Sequence, residues 1–381
     1  MPELVAIDLP GGPEFVAALR RAWDAGDAVL PVDQRLARPA KDALFDVLAP
    51  SLVVGPSSAG RGDRRAGGRP VEPGDALVVA TSGTTGAPKG VILTHDAVEA
   101  SARATSSRLG VDPSRHRWLA CLPLNHVGGL SVVTRSIWTS TPCTVLPGYE
   151  PETVRAHSGP DVLVSLVATA LQRTPADLFH TVVLGGSAPP AGLPANVVTT
   201  YGLTETGSGV VYDGSPLEGV EVAVDDRSGE IRLRGPMLLR AYRDGTVALD
   251  AGGWLCTGDV GSIGPDGRLA VAGRLTDMII SGVENIWPGP VEEAIRGHPG
   301  VADVAVAGRP DPEWGQRVVA WVVPADPSRP PRLADLRDLV GERLARYAAP
   351  RQLVLTDSLP RTSIGKVRRE VLVAPSPSEE G

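Results

Sequence analysis

The sequence predicts an α/β protein with a large N-terminal domain, residues 1–274, and a small α+β C-terminal domain, residues 275–381. In the first part, short apolar runs alternate with segments of helical spacing, which is typical of a largely parallel sheet covered by helices. Residues 216–272 change to short alternating strands and turns, which indicates a small β-subdomain. A chain of 381 residues also exceeds the usual domain size of about 150 residues.

Periodicity places the first elements along the chain. Apolar residues at helical spacing predict helices over residues 14–26, 39–49 and 96–110, with a fourth, apolar helix from NHVGG to about residue 140. Apolar runs predict strands over residues 28–33, 51–54, 77–80, 91–94 and 118–124, and the alternation continues to residue 206. Gly110 is expected to end the third helix, and the Gly/Pro/Arg-rich residues 55–74 to form a mobile loop.

The C-terminal domain has its own pattern. Strands are predicted over residues 278–281, 301–308 and 317–324, and helices over residues 289–299 and 333–347. Residues 373–381 are expected to be a disordered tail.

Composition excludes several classes of protein. A net charge of −7 argues against a nucleic-acid partner, which normally requires a basic face. The N-terminus lacks the pattern of a signal peptide, and no apolar run reaches the ~18 residues needed to span a bilayer. Cys121, Cys143 and Cys256 are widely spaced and suggest neither disulfides nor a zinc site. We therefore expect a cytoplasmic protein without a membrane partner.

TSGTTGAPKG, residues 81–90, predicts a phosphate-binding loop between two strands. Small residues let backbone N–H groups turn inward around an anion, and hydroxyls add further donors. A Walker loop is excluded because Pro88 precedes Lys89 and a strand follows. A plain structural turn would need fewer glycines and donors. The candidate residues are Thr81, Ser82, Gly83, Thr84, Thr85, Gly86 and Lys89.

Two further segments contain candidate ligand-binding residues. YGLTET, residues 201–206, follows a predicted strand, so Tyr201, Thr204 and Glu205 lie at a carboxyl end, where open α/β sheets bind ligands. The alternative is that Thr204 only caps a helix. Asp259 is predicted in a glycine-flanked turn before a strand, where it suits a ribose diol; a plain Asx-turn is the alternative.

Arg274 and Thr276 fall where the two predicted domains join, and Lys366 lies on a glycine-containing segment near the C-terminus. Arg274 suits a phosphate or ribose contact, whereas Asp277 is expected only to cap or brace the junction. A solvated charge cluster is the alternative for Lys366.

These motifs, in this order, resemble the adenylate-forming superfamily of acyl-CoA synthetases, luciferases and peptide-synthetase adenylation domains, from about residue 77 to residue 370. The resemblance implies ATP, Mg²⁺ and coenzyme A, with an acyl-adenylate formed first and a thioester second. It implies that Lys366, Glu205 and Thr204 are catalytic and that Glu205 binds the metal. It implies a nucleotide site of Thr81, Ser82, Gly83, Thr84, Thr85, Gly86, Lys89, Gly185, Gly186, Ser187, Tyr201, Gly202, Asp259 and Arg274.

The resemblance also implies that the C-terminal domain rotates between the two half-reactions. Thr276 occupies the pivot position, where the family usually has Asp or Lys, and SGVEN lacks a second glycine that is common in the family. The region before the phosphate loop, about 75 residues, is short for the family. This shortening favours compact members.

His126, Arg135 and Ser165 are the candidate acid-binding residues. His126 matches the family residue that lines the acyl pocket, and a guanidinium at Arg135 suits a second carboxylate; a surface arginine with a buried stem is the alternative. Gly185, Gly186 and Ser187 are expected to line the same pocket through backbone groups. The pattern is similar to that of the o-succinylbenzoate–CoA ligases of menaquinone synthesis, in their compact actinobacterial form.

Three alternative functions remain open. The chain could ligate CoA to another aryl or short acyl acid, be a non-catalytic nucleotide-binding homologue, or adenylate an acid for a carrier protein. The partners expected are small molecules only, and the sequence does not decide between a monomer and a homo-oligomer.

Overall fold

The computed structural model describes residues 1–56, 62–82, 88–282, 284–361 and 367–373, with the Ser82 side chain outside the description. The chain divides into two compact units. The first comprises residues 1–223 and 232–256, and the second comprises residues 224–231 and 257–381. The boundary predicted between residues 274 and 275 separates the C-terminal domain that is expected to rotate from the rest of the chain. This boundary stays a prediction.

Up to residue 242, the helices are α1 (Pro13–Asp24), α2 (Arg38–Leu48), α3 (His95–Arg108), α4 (Val127–Thr139), α5 (Pro151–Ala156) and α6 (Ala168–Leu171). The strands are β1 (Leu4–Ile7), β2 (Ala28–Pro31), β3 (Leu52–Val54), β4 (Asp63–Arg64), β5 (Asp75–Ser82), β6 (Pro88–Thr94), β7 (Arg117–Ala120), β8 (Cys143–Val145), β9 (Gly159–Leu166), β10 (Phe179–Leu184), β11 (Val197–Gly202), β12 (Gly209–Tyr212), β13 (Ser215–Pro216), β14 (Glu221–Val224), β15 (Glu230–Arg234) and β16 (Ala241–Tyr242).

From residue 255 on, the strands are β17 (Leu255–Ile263), β18 (Leu269–Arg274), β19 (Ile279–Ser281), β20 (Glu284–Ile286), β21 (Val301–Asp311), β22 (Gly315–Pro324) and β23 (Gln352–Leu355). The helices are α7 (Pro288–Arg296), α8 (Leu333–Arg343) and α9 (Arg369–Val373). Three-residue 3₁₀ turns occur at Ala176–Leu178, Thr204–Thr206, Leu275–Asp277 and Arg346–Ala348.

The first unit contains two seven-stranded sheets. One has the order β16-β6-β5-β2-β1-β3-β4, with β5, β2, β1 and β3 parallel and antiparallel strands at both edges. Its central strands are apolar throughout, as expected for a sheet covered on both faces. Leu4, Leu30 and Val78 of this sheet pack with Phe45 and Leu48 of α2.

The second sheet has the order β13-β12-β11-β10-β9-β7-β8. The five strands from β11 to β8 are parallel, whereas β12 and β13 are antiparallel. Leu119, Val164, Val182 and Leu184 form its core. The predicted α/β class with largely parallel sheets is confirmed.

The second unit contains an antiparallel sheet of order β20-β19-β22-β21, on which β23 pairs in parallel with β22. Helices α7 and α8 bury Ile295, Leu336 and Val340 against it. The predicted α+β character of this part is confirmed. Among the described residues, the structure has no helix with the length and apolar character needed to cross a bilayer.

Local differences from the predicted elements have physical causes. Asp63 and Arg64, expected in a loop, pair with β3 as a short edge strand. The helix predicted to reach residue 347 ends at Arg343, because Leu344 turns to an extended conformation and packs against the core of the unit. β11 runs two residues further than predicted and ends with Tyr201 and Gly202. Gly110 does follow α3, with a φ of 61°.

Candidate active site

The hairpin of β5 and β6 carries the glycine- and hydroxyl-rich segment. Thr81 pairs with Lys89 and Ser82 with Pro88 across the antiparallel ladder. Because a strand rather than a helix contains the lysine, the prediction that this is not a Walker loop is confirmed. Residues 83–87 lie outside the described residues, and so do the predictions for Gly83, Thr84, Thr85 and Gly86.

The carboxyl ends of β7, β9, β10 and β11 lie along one edge of the second sheet, because these strands are parallel neighbours. In an open α/β sheet, this edge is where ligands bind. The sequence-predicted residues that end or follow these strands are therefore brought to the same edge. They are His126, Ser165, Gly185, Gly186, Ser187, Tyr201, Gly202, Thr204 and Glu205.

The 3₁₀ turn Thr204–Thr206 follows β11 directly. The Thr206 hydroxyl accepts a hydrogen bond of 2.9 Å from the Leu203 N–H and donates one of 2.6 Å to the Ser208 carbonyl oxygen. Thr206 thus braces the turn, and the alternative that Thr204 is a helix cap is wrong. A Cβ atom at Gly202 would lie 2.2 Å from the Ser208 carbonyl oxygen, so only glycine fits there.

Glu205 is held by residues of and beside β16. The Tyr242 hydroxyl donates a 2.9 Å hydrogen bond to Glu205 Oε1, and the Leu239 N–H donates one of 2.7 Å to the Glu205 carbonyl oxygen. Lys89 Nζ lies 5.2 Å from the centroid of the Tyr242 ring, within the range of a cation–π contact. Tyr242 therefore connects Lys89 of the hairpin with Glu205 of the sheet edge.

The side chains at this edge fit a magnesium ion shared with a nucleotide. Magnesium is usually bound by one or two carboxylates together with substrate phosphates and water, not by a protein cage. Among the described residues, no group of three or more His, Cys, Asp or Glu side chains is placed to hold a metal. Glu205 supplies one carboxylate whose Oε2 is not used by the Tyr242 hydrogen bond.

The end of β10 brings backbone groups close to β11. A Cβ atom at Gly185 would lie 2.7 Å from Thr200 Oγ1, so a larger residue there would displace the Thr200 hydroxyl. Gly186 has a φ of 85°, a conformation that favours glycine. Ser165 is buried in β9, where it pairs with Val183. Ser165 and the two glycines therefore occupy adjacent strands at their carboxyl ends.

His126 immediately precedes α4, as predicted. Burial lowers the pKa of His126 below its usual value, and the positive charge of Arg35 acts in the same direction, opposed by Asp33. Its Nε2 is buried, with no hydrogen-bond partner in the described part of the protein. The imidazole is therefore neutral near pH 7.

Arg135 is 2% exposed, so the alternative of a surface arginine is wrong. Its Nη2 donates to the Ser208 hydroxyl, and its guanidinium carbon lies 5.3 Å from the centroid of the Trp118 ring. Nε and Nη1 have no hydrogen-bond partner within the described residues. Burial lowers the pKa of Arg135, but an arginine guanidinium stays charged in proteins. A cavity of about 10 Å³ beside it, also lined by Ser131, has room for at most one water molecule.

Asp259 and Arg274 form an ion pair in the second unit. Arg274 Nε lies 2.8 Å from Asp259 Oδ1, and the two residues are partners across β17 and β18. Asp259 is therefore inside a strand, and the predicted turn before a strand is wrong, as is the Asx-turn alternative. The positive φ of Gly258, 68°, bends the strand just before the carboxylate. The structure brings this predicted pair together.

Thr276 lies in the 3₁₀ turn Leu275–Asp277. Asp277 of this turn contacts Arg369 Nη1 at 3.1 Å, and Arg369 Nη2 lies 2.6 Å from Oε1 of the buried Glu292. Asp277, which was expected to cap or brace the junction, thus forms an ion pair with the first residue of α9. Lys366, three residues before Arg369, lies outside the described residues, and its role stays a prediction.

Replacing Arg369 with leucine is expected to lower the free energy of unfolding of the second unit by about 2 kcal/mol. Loss of one partner of a fully buried pair costs about 3–5 kcal/mol, and the figure is reduced here because Arg296 still lies 3.6 Å from Glu292. Hydrogen exchange of the β21 amides measures the change. Arg368→Leu, which removes an exposed cation next in sequence, should change it by less than about 0.5 kcal/mol. Equal effects of the two variants would contradict the expectation.

Sequence reasoning missed three residues that the structure places at these sites: Tyr242, Ser208 and Arg369. Tyr242 and Ser208 act through contacts with residues far away in the chain, and no local pattern marks such contacts. Arg369 is the last residue of the basic run KVRR, which begins at Lys366, and this run is the sequence signal that could have found it.

Comparisons with known proteins agree with this arrangement. Residues 55–243 match the model of the AMP-binding enzyme family, and residues 290–366 match that of the AMP-binding enzyme C-terminal domain. A probable 2-succinylbenzoate–CoA ligase of Mycobacterium tuberculosis is 40% identical over 333 residues, which cover 80% of this chain and 86% of that protein.

Two solved structures of o-succinylbenzoate coenzyme A synthetase from Bacillus subtilis are also similar. The complex with the acyl-adenylate intermediate has a TM-score of 0.83 and 27% identity, and covers 98% of this chain and 88% of that one. The complex with ATP and a magnesium ion has a TM-score of 0.79 and 27% identity, with 97% and 88% covered. The chain therefore belongs to the AMP-binding enzymes and, within them, to the family of 2-succinylbenzoate–CoA ligases.

Proposed function

We propose that this protein is an AMP-forming ligase that converts 2-succinylbenzoate into its CoA thioester, a step of menaquinone synthesis. The observation that carries the proposal is the Lys89–Tyr242–Glu205 contact, which joins the phosphate-loop hairpin to the ligand-binding edge of the second sheet. Membership of the 2-succinylbenzoate–CoA ligase family supports the acid substrate. We also propose a reducing, cytoplasmic location, because the three cysteines are widely spaced in the sequence and suggest no disulfide framework.

The reaction has two steps. The succinyl carboxylate attacks the α-phosphorus of ATP, the bond from that phosphorus to the bridging oxygen breaks, and pyrophosphate leaves. The CoA thiolate then attacks the acyl carbon, the bond from carbon to the phosphate oxygen breaks, and AMP leaves. Charge develops at the α-phosphate in the first step, so fixed cations and N–H donors are the main catalytic resource.

We assign these groups to the residues that the sequence motifs predicted, taking each unit by itself. In the first unit, the hairpin with Thr81, Ser82 and Lys89 holds the outer phosphates, and Tyr201 with Gly202 covers the adenine. Glu205 and Thr204 stand beside the phosphates, and magnesium bound by Glu205 would neutralise phosphate charge. In the second unit, Asp259 holds the ribose hydroxyls and Arg274 adds a positive charge beside it.

Lys366 supplies the ammonium for the α-phosphate and substrate carboxylate. Rotation of residues 275–381 about Thr276 then withdraws Lys366 and gives the arrangement in which the CoA thiol is accepted.

The acid site lies at the same sheet edge. His126, neutral because of its burial, lines the acyl pocket and moves aside for the CoA thiol. Gly185, Gly186 and Ser187 contribute backbone groups, and Ser165 contributes a hydroxyl. A buried guanidinium without a counter-ion is costly, and we pair Arg135 with a second carboxylate on the substrate. Because the cavity beside Arg135 has room for at most one water molecule, this pairing requires the residues that line the cavity to move apart when the acid binds.

A pyrophosphate-release assay over a panel of carboxylic acids, with and without CoA, tests the function. Release is expected with 2-succinylbenzoate and not with benzoate or fatty acids. Turnover of a monocarboxylic aryl acid at an equal kcat/KM would favour the other open function, a CoA ligase for another acid. Absence of release with every acid would leave only a nucleotide-binding role.

Replacing Asp259 with asparagine is expected to raise the KM for ATP about 10- to 100-fold, because a charge-assisted hydrogen bond contributes ~1.5–3 kcal/mol. Asparagine keeps the shape but cannot accept both ribose hydroxyls, and it leaves Arg274 without its ion pair. Asp266→Asn, in the exposed turn between β17 and β18, is the matched control and should leave the KM unchanged. An unchanged KM in the Asp259 variant would remove the ribose assignment.

A further inference from the structure

We propose that Tyr242 is a positioning residue for Mg·ATP: its hydroxyl orients the Glu205 carboxylate toward the metal, while its ring holds Lys89 toward the phosphates. The inference rests on the proposed function, because it needs ATP at the hairpin. It adds a residue that contacts neither the acid nor, on this proposal, the metal itself. Its action passes through Glu205 and Lys89.

Two contacts from one short segment fix Glu205. The Leu239 N–H binds the Glu205 carbonyl oxygen at 2.7 Å, and the Tyr242 hydroxyl binds Oε1 at 2.9 Å. The backbone and the side chain of Glu205 are therefore both constrained by residues 239–242. The hydrogen bond to Oε1 selects one orientation of a side chain that otherwise has several rotamers, and it leaves Oε2 for a metal.

The segment is itself anchored on both sides of Tyr242. Tyr242 pairs with Val91 of β6, the strand that contains Lys89. Arg240 donates two hydrogen bonds of 2.9 Å to Asp75, a carboxylate that is 1% exposed. Arg243 donates to three backbone carbonyl oxygens. These belong to Leu48, Arg69 and Pro70.

This anchoring matters because a ligating carboxylate that is already oriented loses less conformational freedom when the metal binds. Ligating carboxylates are themselves hydrogen-bonded in metal sites, and removal of such a supporting partner typically costs 10- to 100-fold in metal affinity or activity. The phenol also places an aromatic face under the Lys89 ammonium at 5.2 Å. One residue thus sets the positions of the metal-binding carboxylate and of the hairpin lysine.

The test is Tyr242→Phe, which keeps the ring and removes only the hydroxyl. Calorimetric titration of the full chain with ATP at a series of magnesium concentrations is expected to show a half-saturating magnesium concentration raised about tenfold. ATP affinity in EDTA should stay within about twofold, because the Lys89 contact remains. Tyr149→Phe is the matched control, since that hydroxyl is likewise hydrogen-bonded, at 2.8 and 2.7 Å, but its partners are Ala170 and Thr174 and not Glu205.

A double-mutant cycle with Glu205→Gln separates positioning from a general structural effect. If Tyr242 acts through Glu205, the hydroxyl deletion should change the magnesium dependence little once Glu205 is replaced. An unchanged magnesium dependence in Tyr242→Phe, or equal effects in both Glu205 backgrounds, would overturn the proposal. Failure of the proposed function would show separately, as absence of pyrophosphate release with 2-succinylbenzoate in the unsubstituted protein, whereas the magnesium titration does not depend on the acid.

Discussion

Replacement of Lys366 by alanine is expected to slow acyl-adenylate formation about 100- to 1,000-fold, the usual loss when one fixed charge-stabilising group is removed. In the proposed role, the Lys366 ammonium stabilises the charge that develops on the α-phosphate. Pyrophosphate release with ATP and 2-succinylbenzoate measures this step. Thioester formation from pre-formed acyl-adenylate and CoA should stay within about twofold, since on the proposed rotation Lys366 takes no part in that half-reaction.

Arg368→Ala is the matched control for Lys366, because it removes an exposed cation two residues along the chain. It should leave both half-reactions unchanged. Equal losses in the two half-reactions of Lys366→Ala would contradict both the catalytic assignment and the rotation about Thr276.

Replacement of Arg135 by glutamine is expected to lower kcat/KM for 2-succinylbenzoate about 100-fold. A carboxylate bound through charge-assisted hydrogen bonds gains ~1.5–3 kcal/mol from each, and glutamine offers neither the charge nor the planar fork. The comparison substrate is a poorly used aryl acid with a succinyl side chain and no ring carboxylate. The variant should not lose activity toward it, because that acid has no second carboxylate to bind.

The comparison also resolves what the hydrogen bond from Arg135 to Ser208 does. If Arg135 only braced the chain after the Thr204–Thr206 turn, the variant would lose activity equally with both acids. That outcome would move Arg135 from the acid pocket to the support of the nucleotide site. Ser208→Ala, which removes only the hydroxyl, should reproduce such a loss if the brace were the whole role.

The order of most elements could be predicted because the central strands of both sheets are continuous apolar runs. The spacing of the apolar residues in α1 and α2 follows the burial of one helical face, whereas α4 is buried without a break over residues 129–135 and shows no such spacing. The segments 81–90 and 201–206 follow strands that the apolar pattern already marks. Since parallel strands share one carboxyl edge, adjacency of β9, β10 and β11 suffices to bring their terminal residues together.

Contacts between distant segments could not be predicted in this way. Tyr242 lies 37 residues after Glu205 on a two-residue strand, which is too short to leave a periodic signal. Arg135 was recognised as unusual because it interrupts an apolar helix, but its burial against Trp118 depends on how α4 packs on the sheet. Glycine neighbours predict a turn at Asp259, but hydrogen bonding with β18 makes this residue part of a strand.

The central claim is that the succinyl carboxylate of 2-succinylbenzoate attacks the α-phosphorus of ATP. It is tested most directly with substrate carrying ¹⁸O in that carboxylate, by mass spectrometry of the nucleotide released when CoA is present. We expect AMP with one ¹⁸O atom in its phosphate, since the acyl–oxygen bond breaks in the second step. Unlabelled AMP, or ADP with orthophosphate as the products, would contradict it.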